Sequence, residues 1–180
     1  DCVTGRATYF RQKDYDPRFF MEKILRASSS VPIICKPVEI DGRMYLDGGV
    51  SDSIPLEKSM ADGNAFNVVV LTRNKGYVKK PTRSIPLATM VLARYPKFVQ
   101  AMKNRHIMYN RCLNKILELE AEGRVFVFRP QAKIEVSMTD RNVDKIEKLY
   151  RQGYSEAMER MKDLKEWIKR TSGARRAEKA

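Results

Sequence analysis

Val68, Val69, Val70 and Leu71 follow one another without a polar break inside FNVVVLTR, residues 66–73. Successive side chains of a strand point to opposite faces, so an unbroken β-branched run calls for apolar cover on both. Helices packed on the two sides of a sheet supply that cover. A second short run, VFVF at 125–128, ends ahead of Pro130. Between these runs and after them the apolar spacing is helical. The reading is an α/β domain, a sheet flanked by helices.

The helical segments can be placed by their ends. Asp16 is a candidate N-cap with Pro17 in the first helical position, and Phe20, Ile24 and Ala27 recur at steps of four and three. Ser28, Ser29, Ser30 and Pro32 end that helix, and the serines are read as bonding to the backbone there. PLEKSMADG predicts a two-turn helix closed by Gly63. Ser84 and Pro86 open another, Pro96 restarts it, and a long helical pattern runs from Lys97 to Glu122 before Gly123 stops it. Asp140 is expected to cap a last helix, whose stripe Val143, Ile146, Leu149, Tyr150, Gly153, Ala157, Met161, Leu164 and Ile168 predicts a covering helix over 140–171. Residues 172–180 read as a flexible tail, and 1–139 as the main body of the domain. VTGRATYF, at 3–10, alternates weakly and is expected to be a strand or hairpin arm. EI and MYL flank Asp41-Gly42, a dipeptide suited to a two-residue hairpin turn.

Charge and cysteines narrow the function classes. Lysine and arginine number 35 against 22 acids, for a net charge of +13. The excess is concentrated. No acid occurs between Asp62 and Glu118, while Arg73, Lys75, Lys79, Lys80, Arg83, Arg94, Lys97, Lys103, Arg105, Arg111 and Lys115 all fall there. Gathered on one face, they would attract the phosphates of lipid headgroups or of nucleic acid; dispersed, they are a solvated basic surface. No helix-turn-helix, zinc-finger or aromatic RNA-binding signature accompanies them, so no specific nucleic acid is expected as partner. Cys2, Cys35 and Cys112 lack C-x-x-C spacing and are odd in number, and His106 is the single histidine. A disulfide framework and a metal centre are not expected; a reducing, cytoplasmic compartment is. Cys35 follows Ile33 and Ile34 and is expected to be buried. No run approaches the roughly 20 apolar residues of a membrane span.

YLDGGVSDSIP, residues 45–55, carries the candidate chemistry. Tyr45 and Leu46 read as a strand end, and Asp47, Gly48 and Gly49 as the turn that follows. A carboxylate at a strand tip is either a turn acid or a catalytic base. Asp52 is a second carboxylate nearby, better suited to a loop or cap. The wider stretch LRASSSVPIICKPVEIDGRMYLDGGVSDSIP, residues 25–55, resembles the patatin-like phospholipase family. It has the Ala-Ser-x-x-x-Pro turn, then a proline and a short hairpin, then Asp-Gly-Gly with a proline beyond. The segments at 1–10, 105–130 and 149–161 are similar to further parts of bacterial members.

The resemblance implies a serine–aspartate dyad that cleaves acyl esters of lipids and needs no cofactor. Asp47 would be the base, and Gly48 and Gly49 would let the active-site loop turn tightly. A serine hydroxyl is a poor nucleophile until a base takes its proton, and desolvation makes a carboxylate a better base. The family's Gly-x-Ser-x-Gly elbow and glycine-rich oxyanion loop do not occur in residues 1–180. The expectation is therefore a C-terminal portion, starting inside a longer protein and inactive alone. Its partners would be a lipid or acyl-ester substrate, an anionic membrane touched peripherally, and either a missing N-terminal fragment or a second copy covering an open sheet edge. A basic binding module without catalysis is the alternative.

Overall fold

The computed structural model describes residues 1–137 and 140–177, with side chains described as far as Ser172. The chain divides into two compact units, one formed by Asp1–Pro55 with Lys79–Asn114 and one by Leu56–Val78 with Lys115–Ala180. It mixes helices with two small sheets, which is compatible with an α/β class.

In the first unit, strands β1 (Val38–Ile40) and β2 (Arg43–Tyr45) form an antiparallel hairpin with Ile40 opposite Arg43. Asp41 and Gly42 both have positive φ, +51° and +73°, which is the twist a two-residue turn needs. Helix α1 (residues 17–28) starts as expected. The Asp16 carboxylate accepts from the backbone N–H groups of Arg18 and Phe19, and Pro17 follows. Its central turn, Phe20–Leu25, widens to π geometry. Ile24 and Ala27 pack from it onto Val38, Ile40 and Tyr45, with Phe10, Tyr15, Phe19 and Phe20 around them.

A second cluster joins Cys2, Leu46 and Val50 to helix α3 (Ile85–Val91) and to helix α4 (Pro96–Ala121). Ala88, Leu92, Tyr95, Phe98, Val99 and Met102 come from this stretch. Through Asn114, α4 belongs to the first unit; its remainder belongs to the second. Residues 3–10 form no strand. The Cys2 N–H donates to Met44 O, but the Thr4 and Gly5 N–H groups turn back onto Asp1, so the chain leaves the hairpin at once. Cys35 is exposed, not buried. Ile33 sits at φ +75°, and the turn closed by the Cys35 N–H on Val31 O swings Ile34 and Cys35 outward.

In the second unit, helix α2 (Leu56–Ala61) ends at Gly63, whose φ is +91°. Strand β3 (Asn67–Val70) pairs in parallel with β4 (Val125–Phe128), Val68 beside Phe126 and Val70 beside Phe128. β3 is covered on the Val69 face alone; Val68 and Val70 are exposed, against the expectation of burial on both sides. Among the described residues it has one neighbouring strand. The last helical pattern is two helices, α5 (Val143–Glu159) and α6 (Met161–Ala177), with Arg160 between them. The Arg160 guanidinium donates to Val127 O and lies over the Phe126 ring, so the chain is tied to β4 where the helix breaks. Asn142, not Asp140, caps α5: its side chain accepts from the Lys145 N–H, while Asp140 accepts from the Asn142 N–H. Val143, Ile146, Tyr150 and Ile168 of the expected covering stripe are exposed. Residues 178–180 of the expected tail lie outside the described residues, and α6 reaches Ala177.

Candidate functional site

Asp47 stands two residues beyond β2. Tyr45 and Leu46 are buried immediately before it, and Val50 three residues after, so the turn is anchored at both ends. The Asp47 N–H donates to Ser30 O at 3.0 Å, which ties it to the end of α1. A 3-10 turn, Gly48–Val50, follows, and the Asp47 carboxylate caps it: Oδ1 accepts the Gly49 N–H at 2.7 Å. The carboxylate is half-buried.

Gly48 and Gly49 do turn the chain, but neither uses the positive φ open to glycine. Their roles differ. A Cβ on Gly48 would meet nothing within 4 Å, whereas one on Gly49 would lie 3.0 Å from Asp47 Oδ1 and 3.5 Å from Arg105 Nη2. Gly49 is therefore small because the carboxylate and a guanidinium converge on it. Its carbonyl accepts from Arg105 Nε at 2.7 Å and from Ser53 Oγ at 2.5 Å. Sequence reasoning counted Arg105 only among the basic residues of 63–117. Its role has no signal in the chain, because α4 delivers it from far along the sequence.

The other candidates fall into place around this turn. Asp52 is engaged by Tyr9, whose hydroxyl donates to Oδ2 at 2.5 Å. Ser29 Oγ donates to Leu25 O and Ser30 Oγ to Arg26 O, at 3.0 and 2.7 Å, so these serines close α1 as their position suggested. His106 Nδ1 lies 2.9 Å from Lys103 O within its own helix. Tyr45 packs edge-on against Phe10, with ring centroids 5.4 Å apart.

A cavity of about 310 Å³ opens beside Asp47 and Gly48. Phe10, Phe20, Ile24, Leu25, Leu46 and Phe98 give it apolar walls, with Thr8, Ser28 and Ser51 between them. Asp47 thus borders one cavity with these apolar side chains, and Asp1 and Arg6 line it too. A larger cavity, about 660 Å³, lies in the second unit against Val70, Phe128 and Arg160. It holds the Arg129–Glu120 ion pair and none of the candidate residues.

Residues 3–59 match the model of the patatin-like phospholipase family, and residues 95–169 match that of a domain family of unknown function, DUF6363. The chain is 35% identical to the uncharacterized protein YjjU of Escherichia coli, over 38% of its own length and 22% of that protein's. It is 30% identical to uncharacterized NTE family proteins of Mycobacterium bovis and Mycobacterium tuberculosis, over 41% of its length and 19% of theirs. The matched segment thus spans about a fifth of these curated relatives.

Proposed function

We propose, for a chain whose residues 3–59 fit a patatin-like family member, that it forms part of a lipid acyl hydrolase in which Asp47 is the base. The nucleophile would be a serine in a part of the protein outside these 180 residues. The observation that carries the reading is the placement of Asp47. One carboxylate oxygen is held by the Gly49 N–H, and the residue lines a cavity walled by apolar side chains.

The chemistry follows from that placement. Asp47 takes the proton from the serine hydroxyl as the oxygen attacks the ester carbonyl carbon. The tetrahedral intermediate collapses, the carbon–oxygen bond to the alcohol breaks, and Asp47 returns the proton to the leaving oxygen. Water then attacks the acyl carbon and gives a proton to the same carboxylate; the bond from that carbon to the serine oxygen breaks, Asp47 returns the proton to the serine, and the fatty acid leaves. Backbone N–H donors for the oxyanion would come from the same outside part as the serine. The apolar wall of Phe10, Phe20, Ile24 and Leu25 suits an acyl chain, and the substrate class is a fatty acyl ester, phospholipid among them.

Asp47→Asn in the intact protein tests this directly. General-base removal costs about 10²- to 10⁴-fold in rate. Turnover of a chromogenic fatty ester should fall within that range, with the thermal midpoint unmoved. Turnover near the wild-type rate refutes the assignment.

A further inference from the structure

We propose that the outer face of α3, with the cations that bracket it, seats the protein on an anionic lipid surface. The inference stands apart from the hydrolase reading, since the surface would dock whatever Asp47 does.

α3 is apolar on both sides. Ile85, Ala88 and Leu92, at steps of three and four, face the core of the first unit. Leu87, with Met90 and Val91 three and four residues on, lies on the opposite side, and the three are 45%, 71% and 49% exposed. A helix that is hydrophobic all round normally has an apolar environment on both faces. Here the inner face has protein against it, and the outer face has none among the described residues.

The surroundings name the occupant. Arg83 and Lys80 precede the helix, Arg94 and Lys97 follow it, and all four are exposed. Residues 79–114, the whole second segment of this unit, contain no aspartate or glutamate. An apolar face bracketed by cations matches the chemistry of a bilayer interface, where acyl chains take the first and anionic headgroups the second. A nucleic acid would satisfy the cations and leave Met90 without a partner. A second copy would set two positive rims against each other.

Flotation of the full chain with vesicles of phosphatidylcholine plus about one third phosphatidylglycerol, against phosphatidylcholine alone, tests the proposal. Binding should require the anionic lipid and weaken as salt rises. Arg83→Gln, Arg94→Gln and Lys97→Gln should each lower the partition coefficient about fivefold. Met90→Asp should lower it about tenfold, and Met90→Ser should fall between that variant and the wild type. These side chains are exposed, and unchanged circular dichroism melts will show that the fold is intact. Three outcomes overturn the proposal: no binding to the mixed vesicles, equal binding to both kinds, or Met90 variants that bind as the wild type does. The last result, joined to equally tight binding of a DNA duplex, assigns the patch to nucleic acid instead.

Discussion

Arg105 Nε donates to Gly49 O at 2.7 Å, and the N–H of the same Gly49 donates to Asp47 Oδ1 at 2.7 Å. One residue thus receives the guanidinium at its carbonyl and holds the carboxylate through its nitrogen. Arg105 thus bonds Gly49, and Gly49 bonds one oxygen of Asp47, so on the proposed reading Arg105 would be a positioning residue. Removing a charge-assisted bond of this kind costs about 1.5–3 kcal/mol when the acceptor is left without its donor, and Ser53 Oγ, which shares the carbonyl, will absorb part of that.

Arg105→Ala should therefore destabilise the first unit by about 1–2 kcal/mol in urea titration. On the proposed hydrolase reading it should also lower kcat of the intact protein on a fatty ester more than it raises KM, because the bond would orient the proposed base while Arg105 itself does not line the cavity. Arg105→Lys keeps the charge but loses the fixed direction of the Nε–H, so it should recover stability more fully than kcat. A variant that loses stability alone, with kcat unchanged, would make the contact structural.

Gly5 makes a different demand on the sequence. Its φ is +67°, and a Cβ there would lie 2.4 Å from the Lys97 carbonyl oxygen. That oxygen belongs to α4 near the buried Phe98, so neither backbone can move cheaply. Gly5→Ala combines a left-handed conformation with a clash and should cost about 2–4 kcal/mol, read as a shift in the denaturant midpoint of the full chain. A change below about 0.5 kcal/mol would mean that the 1–6 segment can detach without cost. Gly42, also left-handed but with open space around its Cβ position, gives the comparison: its substitution should cost only the conformational part.

These two cases explain what could be read in advance. The hairpin at Asp41-Gly42 and the cap at Asp16 are local: turn chemistry and a side-chain bond to the next backbone N–H groups decide them, and both lie within a few residues. Asp47 at a strand tip was legible for the same reason. Arg105 was not, because its partner is 56 residues away and its own helix surrounds it with other cations. Cys35 failed for a backbone reason. An apolar neighbourhood predicts burial only if the chain continues straight, and the positive φ of Ile33 turns it outward. The Val68–Leu71 run overstated the sheet, since two faces of apolar side chains call for cover without saying which part of a polypeptide provides it.

The cysteines give a check on the first unit that does not depend on activity. Cys2 is fully buried and its thiol is pushed up by that burial. Cys112 is half-buried, and its Sγ donates to Ile54 O at 3.3 Å. Cys35 is exposed. The thiolate is the reactive form, so burial suppresses reaction both by access and by keeping the proton on. A disulfide reagent at mildly alkaline pH should modify Cys35 quickly, Cys112 slowly and Cys2 only once the chain unfolds, with the sites assigned by peptide mass. Rapid labelling of Cys2 in the native protein would contradict the packing of this cluster.

Trp167, the single tryptophan, plays the corresponding part in the second unit. It is buried, its Nε1 donates to Gly123 O at 2.8 Å, and its ring meets Phe66 and Phe126 with centroids 6.1 and 5.9 Å apart. Gly123, at φ +73°, is where α4 ends, so the indole joins that helix end to β4. Two contributions can be separated. Trp167→Phe keeps an aromatic ring but leaves the carbonyl without its donor, and should cost about 1–2 kcal/mol. Trp167→Ala also leaves a cavity between Phe66 and Phe126, and should cost about 3–5 kcal/mol. Both are read by circular dichroism in urea, since the substitutions remove the native fluorophore. Equal losses in the two variants would place the stabilisation in the hydrogen bond, and two negligible losses would refute the packing of α6 onto β4.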